Sequence, residues 1–229
     1  VSGLRTNGYR DHSGVMGRSA FLSAGWFGDR TIVKATALAG LLADTLSYTG
    51  ATLDELRQNR RFNPLHPDER HKFGQQMFAL AVSHALSDVA TINTTIYRNS
   101  ASGNYDYFYD QDYRYRYNLA HAWYGVTSAV NAQRGNLHLN LGVNANTYAR
   151  AHRAYLRPDP LSLYDNTGHK QDASAFAKAS LDRGRVRWFA DLQARWTRFR
   201  YEPDPRGNID GRSISWTFLN PKLGATVQL

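Results

Sequence analysis

A period of two in the stretch LHLNLGVNANTYA, residues 137–149, constrains the fold most strictly. Its odd positions are apolar or small, and its even positions are polar, glycine or tyrosine. Successive side chains of an extended strand point to opposite faces, so the stretch predicts a strand with two unlike faces. Two settings stay open at this point. The apolar face either packs into the core of a soluble sheet or faces lipid on a membrane-spanning barrel.

Eight other stretches are also extended in character, which gives nine predicted strands. They cover residues 16–27, 31–42, 75–87, 89–99, 117–132, 136–150, 173–182, 186–201 and 213–229. Most of them are much longer than the roughly five or six residues of a common strand. A tilted strand needs about 9–11 residues to cross a bilayer. The strand lengths therefore favour an antiparallel up-and-down meander that forms part of a transmembrane β-barrel.

The connections between the predicted strands alternate in length. The short ones are GDR (28–30), SD (87–88), QRG (133–135) and DRGR (182–185), all rich in turn-forming residues. The long ones are 43–74, 100–116, 151–172 and 202–212. Membrane barrels carry short turns at one end and long loops at the other. We expect the same division here.

The two predicted faces differ in charge. One face contains Val33, Leu139, Trp188 and Leu192. The alternating positions assigned to it within 20–26, 33–41, 78–86, 90–96, 120–130, 137–149, 173–181 and 186–196 include no Lys, Arg, Asp or Glu. An Arg or Lys facing lipid at the bilayer midplane costs about 2–4 kcal/mol, so this face suits lipid. The opposite face carries the residues expected to line the interior: Lys34, Lys178, Arg187, Asp191 and Arg195.

Aromatic residues gather near the strand ends, and we interpret them as girdles at the two membrane interfaces. They are Trp26, Phe27, Trp188, Phe199, Tyr201, Trp216 and Phe218.

The composition excludes several classes of protein. There is no cysteine, so disulfides and thiolate metal sites are excluded. The chain of 229 residues has a net charge of +9, but its basic residues are scattered and form no nucleic-acid-binding motif. Arginine also suits anionic ligands or the phosphates of outer-leaflet lipid, whose oxygens it pairs bidentately. No apolar run approaches the length of a membrane helix.

Two aromatic and basic stretches are the candidate ligand-binding sites. In YDYFYDQDYRYRY (105–117) the candidates are Tyr105, Tyr107, Tyr109 and Arg114; in GYRDH (8–12) they are Tyr9 and Arg10. Tyrosine offers rigid amphipathic contact area, and arginine recognises carboxylates. The alternative is that these tyrosines only form an aromatic girdle or pack within loops.

No stretch predicts catalysis or a cofactor. HPDERH (66–71) places two His and two acidic residues together, but the spacing matches no established metal site, and a solvated loop is the better interpretation. No histidine is paired with a Ser or Cys nucleophile, and no carboxylate dyad is present, so the sequence predicts a protein that is not an enzyme.

Several stretches together resemble the barrel of TonB-dependent outer-membrane receptors. They are NGYRDHSG (7–14), RSAFLSAGWFGDRTIVKATALAG (18–40), NRRFNPL (59–65), QQMFALAVSHALSD (75–88) and WTFLNPKLGATVQL (216–229). The resemblance implies a barrel of roughly 22 strands filled by a plug. It also implies active import of an iron–siderophore complex or another scarce nutrient across the outer membrane of a Gram-negative bacterium, energised by a TonB-type complex that acts on the plug.

On this interpretation residues 1–229 form a single domain, the middle part of such a barrel, without the plug and the final strands. The first and last strands should then be unpaired with each other, which leaves an open sheet. Two alternatives remain open: a passive outer-membrane channel without a plug, and a soluble all-β binding module that needs no detergent.

Overall fold

The computed structural model describes residues 1–108, 113–158 and 161–228, and its strands form one antiparallel sheet. Each of the ten strands pairs with the next one along the chain. The strands are β1 (Ser2–Thr6), β2 (Val15–Phe27), β3 (Thr31–Thr45), β4 (Arg70–Ser87), β5 (Ala90–Phe108), β6 (Arg114–Arg134), β7 (Leu137–Arg157), β8 (Leu161–Arg183), β9 (Val186–Glu202) and β10 (Arg212–Val227). The predicted all-β meander is confirmed.

One short helix, α1 (Leu53–Gln58), interrupts the connection between β3 and β4. Thr52 and Glu55 form a reciprocal capping box at its N-terminus, which satisfies amide groups that a helix start leaves free. Within the described part of the chain, no helix is long and apolar enough to cross a membrane.

The connections fall at two ends, as predicted. Two-residue turns join β4 to β5, β6 to β7 and β8 to β9, and a three-residue turn joins β2 to β3. Gly135 and Gly184 have positive φ angles of 59° and 62°, which glycine adopts without strain. Because the strands alternate in direction, these four turns share one end, here called the turn end. The longer connections 7–14, 46–69 and 203–211 share the other, called the loop end.

Pairing register confirms the two predicted faces. Val33 lies in one laterally paired row with Val82, Val143 and Ala194, and Leu139, Leu192 and Trp188 are separated from this row by even numbers of residues. Lys34 lies in the adjacent row, which contains Asn144 and Arg195. We call the first the apolar face and the second the polar face.

The register corrects part of the predicted aromatic girdle. Trp26 and Trp188 lie on the apolar face, close to the turn end. The others lie on the polar face, because they are an odd number of residues from the apolar positions of their strands: Phe27, Phe199, Tyr201, Trp216 and Phe218. These five side chains therefore do not belong to a lipid-facing girdle.

The count of nine strands is wrong, and several strands are longer than predicted. β1 is short and has no clear alternation, so it was missed. β5 and β6 together take up most of the predicted loop 100–116, and β7 and β8 take up most of 151–172. The ladders continue toward the loop end after the apolar alternation stops, since a strand in water on both sides needs no apolar face.

The sheet is open, as expected. In residues 1–108, 113–158 and 161–228, β10 pairs only with β9, and no ladder joins it to β1 or β2. The two outer strands thus present unpaired backbone groups.

Candidate functional site

Loops 7–14 and 46–69 are bound to each other at the loop end. Asn63, which is 4% exposed, donates through Nδ2 to the carbonyl oxygens of Asp11 (3.2 Å) and Leu46 (2.9 Å). The Asp11 amide donates to the Arg61 carbonyl at 2.7 Å. These bonds make the two loops one structural unit.

The two candidate residues of the first loop have different surroundings. The Arg10 guanidinium donates to the carbonyl oxygens of Ser47 (3.2 Å) and Thr49 (2.5 Å), so it holds the second loop in place. Tyr9 is 70% exposed at the surface of the same loop. Tyr9 is therefore available to a ligand, whereas part of the hydrogen-bonding capacity of Arg10 is already used.

The candidate residues of β5 and β6 divide between the two faces. Tyr105 and Tyr107 lie on the polar face, and the Tyr105 ring stacks on Tyr117 with centroids 4.7 Å apart. Arg114 lies on the other face, where it contacts the buried carboxylate of Asp106 at 3.7 Å. Tyr109, the fourth candidate of this stretch, lies outside the described residues.

The HPDERH stretch has structural contacts. The His66 ring stacks on Phe108 with centroids 3.8 Å apart. Glu69 is 2% exposed, and its Oε1 accepts from the Phe108 amide at 3.0 Å. Among the described residues, no group of three or more His, Asp or Glu side chains is placed to hold a metal ion.

A pocket of about 440 Å³ on the polar face of β7, β8 and β9 was not anticipated from the sequence. It is lined by Tyr148, Arg150, His152, Tyr164, Asn166, Gly168, Lys170, Phe199 and Tyr201. Gly168 lies between Arg150 and Tyr201 in the paired row, and its missing side chain leaves the floor open. We call this the Arg150 pocket.

The charges of the Arg150 pocket are all of one sign. Arg150 and Lys170 line it, and of the residues that the structure describes no Asp or Glu does. Arg150 Nε is buried and has no hydrogen-bond partner within residues 1–108, 113–158 and 161–228. A buried, unsatisfied donor is costly, so the pocket is suited to an anion with oxygen acceptors. The tyrosines add amphipathic walls against which a flat or aromatic group can pack.

A period of two could have revealed part of this pocket. The stretch YARAH covers residues 148–152. In it Tyr148, Arg150 and His152 alternate with alanines, so they share a face. The contributions of Lys170 and Tyr201 depend on the register of β8 and β9, which the sequence alone does not reveal.

Comparison with solved structures identifies the architecture. The ferric citrate transporter FecA matches with a TM-score of 0.82 and 10% identity, over 96% of this chain and 35% of that one. The copper transporter OprC matches with a TM-score of 0.73 and 14% identity, over 98% of this chain and 37% of that one. The ferric-catecholate import receptor Fiu from E. coli K12 matches with a TM-score of 0.70 and 9% identity, over 99% and 43%.

The chain has the fold of a TonB-dependent receptor barrel. It spans well under half the length of the three solved structures above. No family model matches the sequence, and no curated protein matches it significantly.

In this sheet most of the predicted interior-facing charges form ion pairs between neighbouring strands. Arg195 donates to the buried carboxylate of Asp172 at 2.6 Å, and Thr197 Oγ1 donates to the same oxygen at 2.7 Å. Lys178 lies 3.6 Å from Asp191.

Nearer the turn end of the sheet, Arg187 donates to Asp182 at 2.8 Å. Lys34 is exposed on the polar face. Cross-strand pairs of this kind hold the register of the sheet and contribute modestly to stability.

The loop between β9 and β10 is held by Asp204, which is 7% exposed. Its carboxylate accepts from the Asp165 amide at 2.8 Å and from the Arg206 amide at 2.9 Å. The Arg206 guanidinium also donates to it. The bonds from the Arg206 side chain and backbone hold the pKa of Asp204 well below its usual range.

This lowered pKa predicts that acid releases the loop. A carboxyl group whose folded pKa is depressed stabilises the fold above its unfolded pKa of about 3.9, and that contribution is lost as the pH falls further. We expect hydrogen-exchange protection of the Asp165 amide, corrected for the intrinsic rate, to be constant from pH 7 to about pH 5 and to fall below about pH 4. Asp204→Asn should lower the protection at pH 7 and remove the pH dependence. A variant that kept the wild-type acid profile would refute this role.

Proposed function

We propose that the chain is part of an outer-membrane receptor of a Gram-negative bacterium that captures a scarce nutrient at its loop end for energised import. The observation that carries the proposal is the match of its fold to the ferric citrate transporter FecA over 96% of the chain. Between the turn-end residues Arg134 and Arg183 and the level of Arg98, the apolar face carries no Lys, Arg, Asp or Glu, which supports a position in lipid.

The Arg150 pocket supports an anionic ligand. Its cations, buried donor and tyrosines are the groups that recognise carboxylate or phenolate oxygens on a chelate. Tyr9, Tyr105 and Tyr107 at the same end extend the surface that such a ligand meets. An iron–siderophore complex is the proposed ligand, and ferric chelates of three chemical types are tested. Arg10 and Arg114 are assigned to the support of this surface because their guanidinium groups already have partners in the structure.

The interior-facing charged residues support the further proposal that a plug fills the barrel. Lys34, Lys178, Arg187, Asp191 and Arg195 would face the plug that fills a receptor barrel, through which a TonB-type complex acts. The rival function, a passive channel, uses the same strands around a water-filled lumen.

Uptake measurements separate these functions. The longest natural chain that contains these strands is expressed in a Gram-negative strain that lacks its own iron receptors, and uptake of iron-55 is measured with ferric citrate, a ferric catecholate and a ferric hydroxamate. We expect saturable uptake of at least one chelate, abolished when the TonB-type complex is deleted. Uptake that survives the deletion and rises linearly with concentration would favour a passive channel. Recovery of the protein without detergent would favour a soluble module.

A further inference from the structure

Arg98 in β5 is a charged side chain on the apolar face. It pairs laterally with Phe78 in β4 and with Tyr124 in β6, so the three residues project from the same side of the sheet. Arg98 is exposed, and its guanidinium lies 5.8 Å from the centroid of the Tyr124 ring. Among the described residues, no carboxylate forms an ion pair with it.

The height of Arg98 in the sheet places it at the edge of the apolar band. It follows the turn residue Asp88 by about ten positions; at about 3.4 Å per residue and a tilt of about 40°, this corresponds to about 25 Å along a barrel axis. The lipid-facing band of such barrels is also about 25 Å tall. Arg18 in β2 lies on the same face about as far from the turn residue Gly28, and it is likewise exposed. Both arginines therefore lie where hydrocarbon meets headgroups on the loop side.

The charge at this level is of one sign. Three acidic side chains of this face occur in the strands nearer the loops, and each is already paired. Asp106 pairs with Arg116 at 2.7 Å, Asp165 with Arg153 at 2.9 Å, and Glu202 with His169 at 2.8 Å. Among the described residues, Arg98 therefore has no carboxylate partner on the apolar face at its distance from the turn end.

A shallow groove runs along the apolar face next to Arg98. Its volume is about 980 Å³, and it crosses β2 to β9 between two rows of mostly apolar side chains. Ala35, Leu80, Ile96 and Val126 line it, and Arg98 lies at its border. The neighbouring groove on the loop side has a more polar lining, including Ser100 and Ser102. Arg98 therefore lies between an apolar groove and a polar one.

We propose that Arg98 binds the phosphate of an anionic membrane lipid in the leaflet on the loop side, with one acyl chain of that lipid in the apolar groove. The guanidinium forms two parallel hydrogen bonds with phosphate oxygens. The Tyr124 ring supports the cation from one side. This inference rests on the proposed function, because it requires the apolar face to be in a membrane.

Native mass spectrometry of the detergent-purified full-length chain tests the proposal, with diphosphoryl lipid A as the probe. Removal of one cation near a charged membrane surface weakens lipid binding about fivefold, and we expect that loss for Arg98→Gln. Arg98→Lys keeps the charge and should lose less. The matched control is Arg134→Gln, because Arg134 is an exposed arginine on the same face at the turn end. This control should bind like the wild type.

Two further probes define the ligand. Dephosphorylated lipid A should bind as weakly to the wild type as diphosphoryl lipid A binds to Arg98→Gln, and millimolar inorganic phosphate should not compete. Wild-type affinity in Arg98→Gln, or full competition by inorganic phosphate, would overturn the proposal. A heat-modifiability gel shows that each variant is folded. Lipid affinity is measured separately from uptake. Unchanged lipid affinity in Arg98→Gln would therefore contradict the lipid site without contradicting the transport function. A protein that is soluble without detergent would contradict both proposals.

Discussion

Leu192→Arg is expected to lower the amount of folded protein in the membrane about tenfold, whereas Gln193→Arg should leave it within about twofold. Leu192 lies on the apolar face of β9, about eight positions from the turn end, and it is 47% exposed in the isolated sheet. An arginine that faces lipid costs about 2–4 kcal/mol at the midplane and about 0–1 kcal/mol near the interfaces. Leu192, about 20 Å up a band of about 25 Å, lies between the two, so we expect a cost of roughly 1–2 kcal/mol. Gln193 points to the polar face, where it accepts from Asn220, and a longer cation can be hydrated there.

The two substitutions form a matched pair, because they add the same side chain at adjacent positions of one strand. Folded protein is measured as the heat-modifiable band in washed outer membranes. Equal yields of the two variants would contradict the assignment of faces, and a larger loss for Gln193→Arg would reverse it. Leu139→Arg in β7 repeats the test on another strand.

Arg150→Gln combined with Lys170→Gln is expected to reduce chelate uptake at low ligand concentration about a hundredfold. Each hydrogen bond between a cation and a charged acceptor contributes about 1.5–3 kcal/mol, and both cations line the same pocket. The loss should appear as a higher ligand concentration for half-maximal uptake, with the maximal rate retained, because the energised step does not involve these groups.

Arg60→Gln is the control for general electrostatic attraction. Arg60 is an exposed arginine of the loop 46–69, at the same end but outside the Arg150 pocket. We expect chelate uptake at low ligand concentration to change less than about twofold. Any such change should shrink at higher ionic strength, because salt screens general electrostatic attraction. A loss equal to that of the double variant would mean that total charge at the loop end, rather than the pocket, attracts the ligand.

The faces of the sheet were predictable because lipid imposes a strict rule on them. Positions such as Leu139 and Leu192 must be apolar where the strand faces lipid, and that requirement is visible as a period of two. The ends of the strands were not predictable in the same way. β7 continues from Ala151 to Arg157 with Arg153 and Arg157 on the apolar face and Ala154 and Leu156 on the polar face, so the period of two no longer separates apolar from polar residues.

The candidate site was only partly predictable for a related reason. Tyr105 and Tyr107 could be proposed as candidates because aromatic density is a local signal. The Arg150 pocket depends on the alignment of Arg150 with Gly168 and Tyr201 across three strands, which is a property of register and not of any one stretch. The local capping box of α1 was visible in TLDE, but a helix of six residues gives too short a periodic signal to be recognised.

The strict neighbour-to-neighbour pairing of the ten strands has an evolutionary consequence. Since each strand pairs only with strands adjacent in the chain, duplication or deletion of a whole hairpin leaves every remaining register, face and turn position unchanged. Loss of a single strand would instead invert the direction of all that follow and exchange turns with loops. Sheets of this kind can therefore change circumference over generations in steps of two strands, while binding surfaces at the loop end diverge independently of the lipid-facing wall.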